Sequence, residues 1–516
     1  MIFSQLPQLQ LMVDITAWVS FLDPTKVFSS FGIHQLLIAE ATPTEAVSES
    51  LIVAGVLLSL VVIYFASKLG GEICARLDLP PVLGELVGGV VVGVSALHLL
   101  MFPESGADAS NSLLVSFLQS TAGLSPEVAV SVFQAQSEVI SVLAELGVII
   151  LLFEIGLESD LKELIRVGPQ AAVVAIVGVV VPFVTGTGGL IYFFHIPAVP
   201  AIFAGAALTA TSIGITAKVL AEIGRLSSSE GQIIIGAAVL DDVLGIIVLA
   251  VVASLAKTGE IAIGNVIYLI VSAAIFLVGA IVLGRFLSPY FVALVNEMKT
   301  RGQLLLAALI FAFILSYIGA VIQLEAILGA FAAGLVLAET DKRRELEEQV
   351  IPVADVFVPI FFVVVGAKTD LGVLNPAVPA NREGLTLAIF LIVIAIIGKV
   401  VTGLFVFGQP GINRLAIGVG MIPRGEVGLV FLGVGSATGV LSPAMEAAII
   451  MMVILTTFLA PPFLRLVFKE PELEPTASEI AALDGASAKS VAIEPTPHQQ
   501  ELSEDVEAIE EQKKGS

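Results

Sequence analysis

The sequence predicts an all-α polytopic membrane protein of about thirteen transmembrane helices, built as an inverted repeat with two crossing discontinuous helices. Three observations carry this. Hydrophobic residues make up 57% of the 516-residue chain and charged residues only 14%. Apolar runs of about 20 residues, enough to cross a bilayer core, recur from one end to the other. Two of those runs are interrupted at mid-length by hydroxyls, glycine and proline, at matching positions in the two halves. That pairing is the best sequence pointer to a secondary-transporter site. The spans must be helical, because lipid cannot satisfy free backbone groups.

Taken in order, residues 1–47 form an N-terminal lead. It has no basic start and no small-residue cleavage site, so it is not read as a secretory signal. Its Phe28 to Ala39 part is apolar with polar breaks and is expected to lie along the membrane surface. The membrane domain covers 48–468. Its first three spans are expected near 50–76, 81–100 and 139–158, with Glu85 in the short second and Glu154 late in the third. Between the second and third, Phe102 to Glu138 has no Lys or Arg and should be extracytoplasmic, with a short amphipathic helix around Ser112 to Leu118. The fourth span is 169–194. The fifth, 199–221, is broken at Leu208-Thr-Ala-Thr-Ser-Ile-Gly-Ile-Thr216. The sixth, 230–256, carries Asp241-Asp242. The seventh, 264–285, links the halves. Spans 301–320, 322–339 and 353–367 follow, with Glu325 at the start of the ninth. The eleventh, 384–407, carries Lys399 deep inside. The twelfth, 412–440, is broken at Gly418-Val-Gly-Met-Ile-Pro-Arg-Gly-Glu-Val-Gly428, and the thirteenth is 442–467. Gly88, Gly89, Gly93, Gly329 and Gly334 are read as marks of close helix packing. The segment 469–516 is rich in Glu, Ala, Ser and Pro and should be a disordered acidic tail.

Lys and Arg cluster in alternate loops. Lys68, Arg76, Lys162, Arg166, Lys218, Arg225, Lys299, Arg301, Lys342, Arg343, Arg344 and Arg414 lie on one side, against little beyond Lys257, Lys368 and Arg382 on the other. The positive-inside rule then puts the N-terminus outside and the C-terminus in the cytoplasm. The formal charge of −22 disfavours nucleic acid as a partner. A single cysteine, Cys74, forbids an internal disulfide, and no Cys/His cluster suggests zinc. The glycine cluster Gly433-Val-Gly-Ser-Ala-Thr-Gly439 has the wrong spacing for a dinucleotide site, and no phosphate-binding Gly-Lys-Ser/Thr loop exists. No nucleotide, no cofactor and no enzymatic activity are therefore expected.

Asp241 and Asp242 are the centre of the chemistry. A charged Asp at a helix centre costs about 2.5–3.5 kcal/mol on insertion scales. Two are expected only where they line an ion site or lock helices together as a buried pair. Adjacent helical residues point about 100° apart, so one carboxylate can hold a neighbouring helix while the other faces an open cavity. Lys399 needs a carboxylate or water at its depth, and either Asp is its expected partner. The broken spans expose half-helix ends carrying about half a unit charge each. Arg424 and Glu426 are placed to neutralise part of it, with Gly214 and Pro423 also supporting the crossing.

Together, Ala210-Thr211-Ser212, Asp241-Asp242, Gly398-Lys399 and Met421-Ile-Pro-Arg-Gly-Glu426 resemble the monovalent cation/proton antiporter superfamily, specifically its NapA-like Na+/H+ antiporters of the NhaA/NapA-like fold. The general look is similar to cyanobacterial members. The resemblance implies a homodimer in the bilayer. Spans at 169–256 and 384–467 would form a mobile core, those at 50–158 and 301–367 a dimerisation scaffold, and 264–285 a linker. It also implies the roles. Asp242 carries the ion and proton, Asp241 pairs with Lys399, and Thr211 and Ser212 lie near the ion, so that Na+ meets Asp242 and Asp241. Related potassium exchangers carry Gln-Asp where this chain has Asp-Asp, which favours Na+ or Li+ over K+. Some members carry Asp where this chain has Ser212. The expected function is Na+/H+ exchange by alternating access, serving pH homeostasis in a plasma, inner or thylakoid membrane. K+/H+ exchange on the same scaffold is the alternative, and a cation channel or sensor is a weaker one. An intramembrane aspartyl protease needs two Asp on facing helices, which adjacent residues do not supply.

Overall fold

The computed structural model describes residues 49–103, 108–123, 125–258, 263–375, 379–408 and 411–468. The N-terminal lead, with its expected surface stretch, and the acidic tail lie outside the described residues. Within them the regular structure is helical. In order the α-helices are α1 (Glu49–Arg76), α2 (Pro81–Val92), α3 (Leu113–Ala122), α4 (Pro126–Glu158), α5 (Leu161–Arg166), α6 (Gly168–Phe194), α7 (Ala198–Ala207), α8 (Ile213–Glu222) and α9 (Ser229–Thr258). They continue with α10 (Ile263–Glu297), α11 (Gln303–Val321), α12 (Ala326–Ala338), α13 (Arg343–Ala367), α14 (Pro379–Val400), α15 (Arg414–Gly420), α16 (Glu426–Ala437) and α17 (Pro443–Phe468).

Among the described residues, nine helices are long and apolar enough to cross a membrane. The other four expected spans are the short helices α2 and α12 and the broken pairs α7–α8 and α15–α16. Several boundaries differ from the sequence reading. The second span stops at Val92 instead of continuing to residue 100. Beyond it the chain folds back, with His98 N and Leu100 N bonding to Gly93 O and Val92 O, and His98 in the left-handed region at φ 53°. The third span begins at Pro126, capped by Ser125, because Gln136 and Ser137 turn inward and are buried. The tenth begins at Arg343, where the Arg343–Glu347 ion pair at 2.7 Å supports a charged first turn. The eleventh ends its α-helix at Val400 and closes with a 3-10 turn over Val401–Phe405. The short surface helix expected near 112–118 is α3, capped by the Ser112 side chain.

Packing falls into two sets. Helix α4 packs on α12 and α13, α2 on α1 and α13, and α11 on α12. In the other set α6 packs on α7, α9 and α14, α14 on α17, and α7 on α16. The glycines read as packing marks sit at such seams. A Cβ on Gly334 would come 2.9 Å from the Gly156 Cα of α4, so any side chain there would force the two backbones apart. Helix α8 lies between the sets and touches α4 and α2.

Candidate ion site

Helix α9 carries Asp241 and Asp242 near its middle. One turn on, Gly245 faces Ala210 Cβ at 3.9 Å and Val427 Cγ1 at 3.7 Å from its Cβ direction. The Asp241 face of α9 therefore meets the place where the two broken spans cross. Residues 208–212 separate α7 from α8, and 421–425 separate α15 from α16. The two unwound stretches are stitched directly: Ser212 N donates to Pro423 O at 2.8 Å, and Arg424 Nη1 donates to Ala210 O at 2.6 Å.

The carbonyls at the second break are met by hydroxyl donors. The α15 carbonyls point out a partial negative charge. Thr216 Oγ1 donates to Gly420 O at 3.0 Å, and Thr211 Oγ1 lies 3.2 Å from Met421 O. Thr457 of α17 donates to Arg424 O. The N-termini of α8 and α16 start at Ser212 and Gly425 without a side-chain cap. Their N–H groups leave a partial positive charge at the crossing, where carboxylates are favoured.

Asp241 is fully buried, and its Oδ2 accepts two short hydrogen bonds, from Lys399 Nζ at 2.7 Å and Thr211 Oγ1 at 2.6 Å. Lys399 and Arg424 are likewise 0% exposed. Of the two expected partners for Lys399, the geometry selects Asp241. Asp242 is 2% exposed, so the open cavity expected beside it is absent from this conformation. The Ser212 hydroxyl is buried and has no hydrogen-bond partner among the described residues; a Cβ on Gly425 would lie 2.7 Å from it.

The site residues named from sequence thus divide. Thr211, Asp241 and Lys399 share one carboxylate oxygen, and Ser212, Pro423 and Arg424 build the crossing. Gly214 faces away, toward Val148 and Leu151 of α4 and Phe361 of α13, each within 3.4–3.8 Å of its Cβ direction. Its support is to the seam with the other helix set and not to the crossing. Glu426 opens α16, and its side chain lies outside the described residues. Two contributors escaped the sequence reading as individuals. Thr216 is one hydroxyl in a broken run, and Thr457 belongs to a Thr456-Thr457 pair inside an apolar span. Among the described residues no group of three His, Cys, Asp or Glu is placed to hold a metal. A cation here would rest on one or two carboxylates with hydroxyl and carbonyl oxygens.

The family model for the sodium/hydrogen exchanger transmembrane domain matches residues 47–470. The chain belongs to that family. Among relatives of this exchanger-family chain, the high-affinity Na+/H+ antiporter NhaS3 of Synechocystis is 72% identical over 438 residues, covering 85% of this chain and 95% of the relative. The Na+/H+-K+ antiporter GerN of Bacillus cereus is 31% identical over 414 residues, covering 79% and 95%. The fold is shared with the sodium proton antiporter MjNhaP1 of Methanocaldococcus jannaschii. That match has a TM-score of 0.54 at 16% identity and covers 81% of this exchanger-family chain and 99% of that one. The chain is a multi-pass integral membrane protein.

Proposed function

We propose that the protein is a secondary active transporter that exchanges Na+, and also Li+, for H+ by alternating access. One observation carries the reading: a buried Asp–Asp pair at mid-helix, with Asp241 held by Lys399 and Thr211, at the crossing of two broken helices. The similarity to a relative named as a high-affinity Na+/H+ antiporter supports the ion assignment. Pairing with Lys399 balances the Asp241 charge. Asp242 then carries the charge that a Na+ or a proton can neutralise, but not both at once. That competition is enough for exchange if the charged, empty site cannot cross. Na+ displaces the proton on one side, the helices around the crossing shift against the other set, and protons return the site.

The core at 169–256 and 384–467, the scaffold at 50–158 and 301–367, the linker at 264–285 and a homodimer belong to the same reading. So do a cytoplasmic C-terminus and an outside N-terminus, in a plasma, inner or thylakoid membrane. The alternation of Lys and Arg between loops supports the orientation. K+ is a second cargo to weigh, because one relative is named as a Na+/H+-K+ antiporter. The test is reconstitution with a pH-sensitive dye inside vesicles, followed by Na+, Li+ or K+. Na+ and Li+ should move protons saturably. Proton movement with K+ alone would replace the Na+ reading with a K+ one, and no cation-dependent movement would remove exchange altogether.

A further inference from the structure

Lys399 keeps a cationic side chain closed off from solvent on every side. An ammonium has three donors, and among the described residues its hydrogen-bond acceptor is Asp241 Oδ2. The other wall of its site is helix α6. A Cβ built on Gly178 would lie 3.1 Å from Lys399 Nζ, 3.5 Å from its Cδ and 3.4 Å from Thr402 Cγ2. A side chain at Gly178 would press on the ammonium more closely than ordinary van der Waals contact. One turn further along α6 the relation reverses: a Cβ on Gly398 of α14 would come 2.9 Å from Pro182 Cγ. Each helix offers a glycine to the bulky group of the other, Gly178 to Lys399 and Gly398 to Pro182. Pro182 adds a polar feature. It has no N–H, so the Gly178 carbonyl four residues earlier lacks its helical donor. The residue that makes room for the ammonium therefore also carries a carbonyl released from the helix ladder.

We propose that Gly178 is a positioning residue for exchange. It seats the Lys399 ammonium against Asp241 and, with Pro182, fixes the register of α6 on α14 that keeps it there. This rests on the role of the Asp241–Lys399 pair given above. A methyl group at Gly178 crowds the ammonium by a few tenths of an ångström and lengthens its contact with Asp241. Asp241 is then less tightly held and more available to Na+.

The test is a double-substitution cycle on purified full-length protein, read by the Na+ concentration that half-saturates its thermal stabilisation. Gly178→Ala should lower that concentration about 3- to 10-fold, the size expected for residues in direct contact. In a Lys399→Ala background, where the clashing group is gone, the same substitution should change it less than about 1.5-fold. The same change in both backgrounds, no change in either, or a rise would overturn the proposal. So would loss of the effect on adding Thr402→Ser, which would assign the clash to the Thr402 methyl. If Gly178→Ala lowers the yield of folded protein, adding Lys399→Ala should restore it, and failure to do so overturns the contact. Because the cycle reads binding and folding, a protein that proved not to exchange Na+ for H+ in vesicles would fail the proposed function and leave this contact separately decided.

Discussion

Asp241 Oδ2 is asked to accept from an ammonium and a hydroxyl at once, while Asp242 one residue on stands at 2% exposure. The first arrangement fixes a charge pair; the second places a buried carboxylate at which, on the proposed reading, a cation and a proton compete. Asp242→Asn keeps shape and burial but can hold neither a proton at that oxygen nor a cation by charge. It should abolish Na+-dependent proton movement in vesicles while the purified protein stays folded by circular dichroism; retained movement would take the ion-carrying role away from Asp242. On the proposed reading Thr211→Val takes one oxygen from around the ion, and losing that contact with a charged group, about 1.5–3 kcal/mol, outweighs the loosening of Asp241. The Na+ concentration for half-maximal exchange should rise about tenfold, with the maximal rate less affected. Competition also fixes the sign of the pH dependence. The proton occupies the carboxylate at low pH, so half-saturating Na+ should rise as pH falls, by about tenfold per unit in the acid limb for one proton per ion. A half-saturation independent of pH would mean that the two ions do not share a site. Charged residues in apolar runs were legible in the sequence because their cost demands an explanation. Thr216, Thr457 and Gly178 were not, since a threonine or glycine in a span reads the same whether it bonds, packs or makes room.

The broken helices are where sequence and structure agree most closely, because hydroxyls, glycine and proline gathered at mid-span can only weaken a continuous helix. What the sequence did not convey is how the two breaks are joined. Ser212 N to Pro423 O and Arg424 to Ala210 O link residues more than 200 positions apart, and no local pattern encodes such pairings. Boundaries failed where hydropathy was a poor guide. Helix α4 begins a dozen residues early, with Gln136 and Ser137 facing inward, and α2 ends early because the chain after Gly93 folds back on its own carbonyls. At this scale Gly425 is the sharpest test. It begins the second half of a broken span, and a Cβ there would sit 2.7 Å from Ser212 Oγ. Gly425→Ala should force the two breaks apart and cut the exchange rate at least about tenfold. The loss should come without global unfolding, since one displaced contact is worth roughly 1–3 kcal/mol. An alanine variant with unchanged rate and unchanged Na+ half-saturation would mean that the Ser212–Gly425 approach has no part in the site.

Across the whole molecule, the helices that bear the crossing meet the α1–α2 corner through the apolar packing of Val82 and Leu86 and, among the described residues, through polar contacts as well. Glu222, the last residue of α8, accepts from Val82 N at the start of α2 at 3.2 Å, and Arg465 of α17 pairs with Asp78 in the turn before it. Helix α2 has no side-chain cap of its own, only prolines at its start, so its free N–H is served by a residue 140 positions away. The Arg465–Asp78 pair is largely solvent-exposed, and such pairs contribute about 0–1 kcal/mol. A contact that weak can hold one arrangement and still be given up in each transport cycle. If exchange requires the two helix sets to slide past each other, this corner has to part. Replacing Asp78 and Arg465 with cysteine in a Cys74→Ser background leaves two thiols that a short, reductant-cleavable bifunctional reagent can bridge. The bridged protein should lose Na+-dependent proton movement, and reductant should restore it. Each single-cysteine variant treated the same way should keep its rate. Full exchange by the bridged protein would mean that this corner stays closed throughout transport, and the sliding would then have to be sought at the α8–α4 seam, where Gly214 meets Val148 and Leu151.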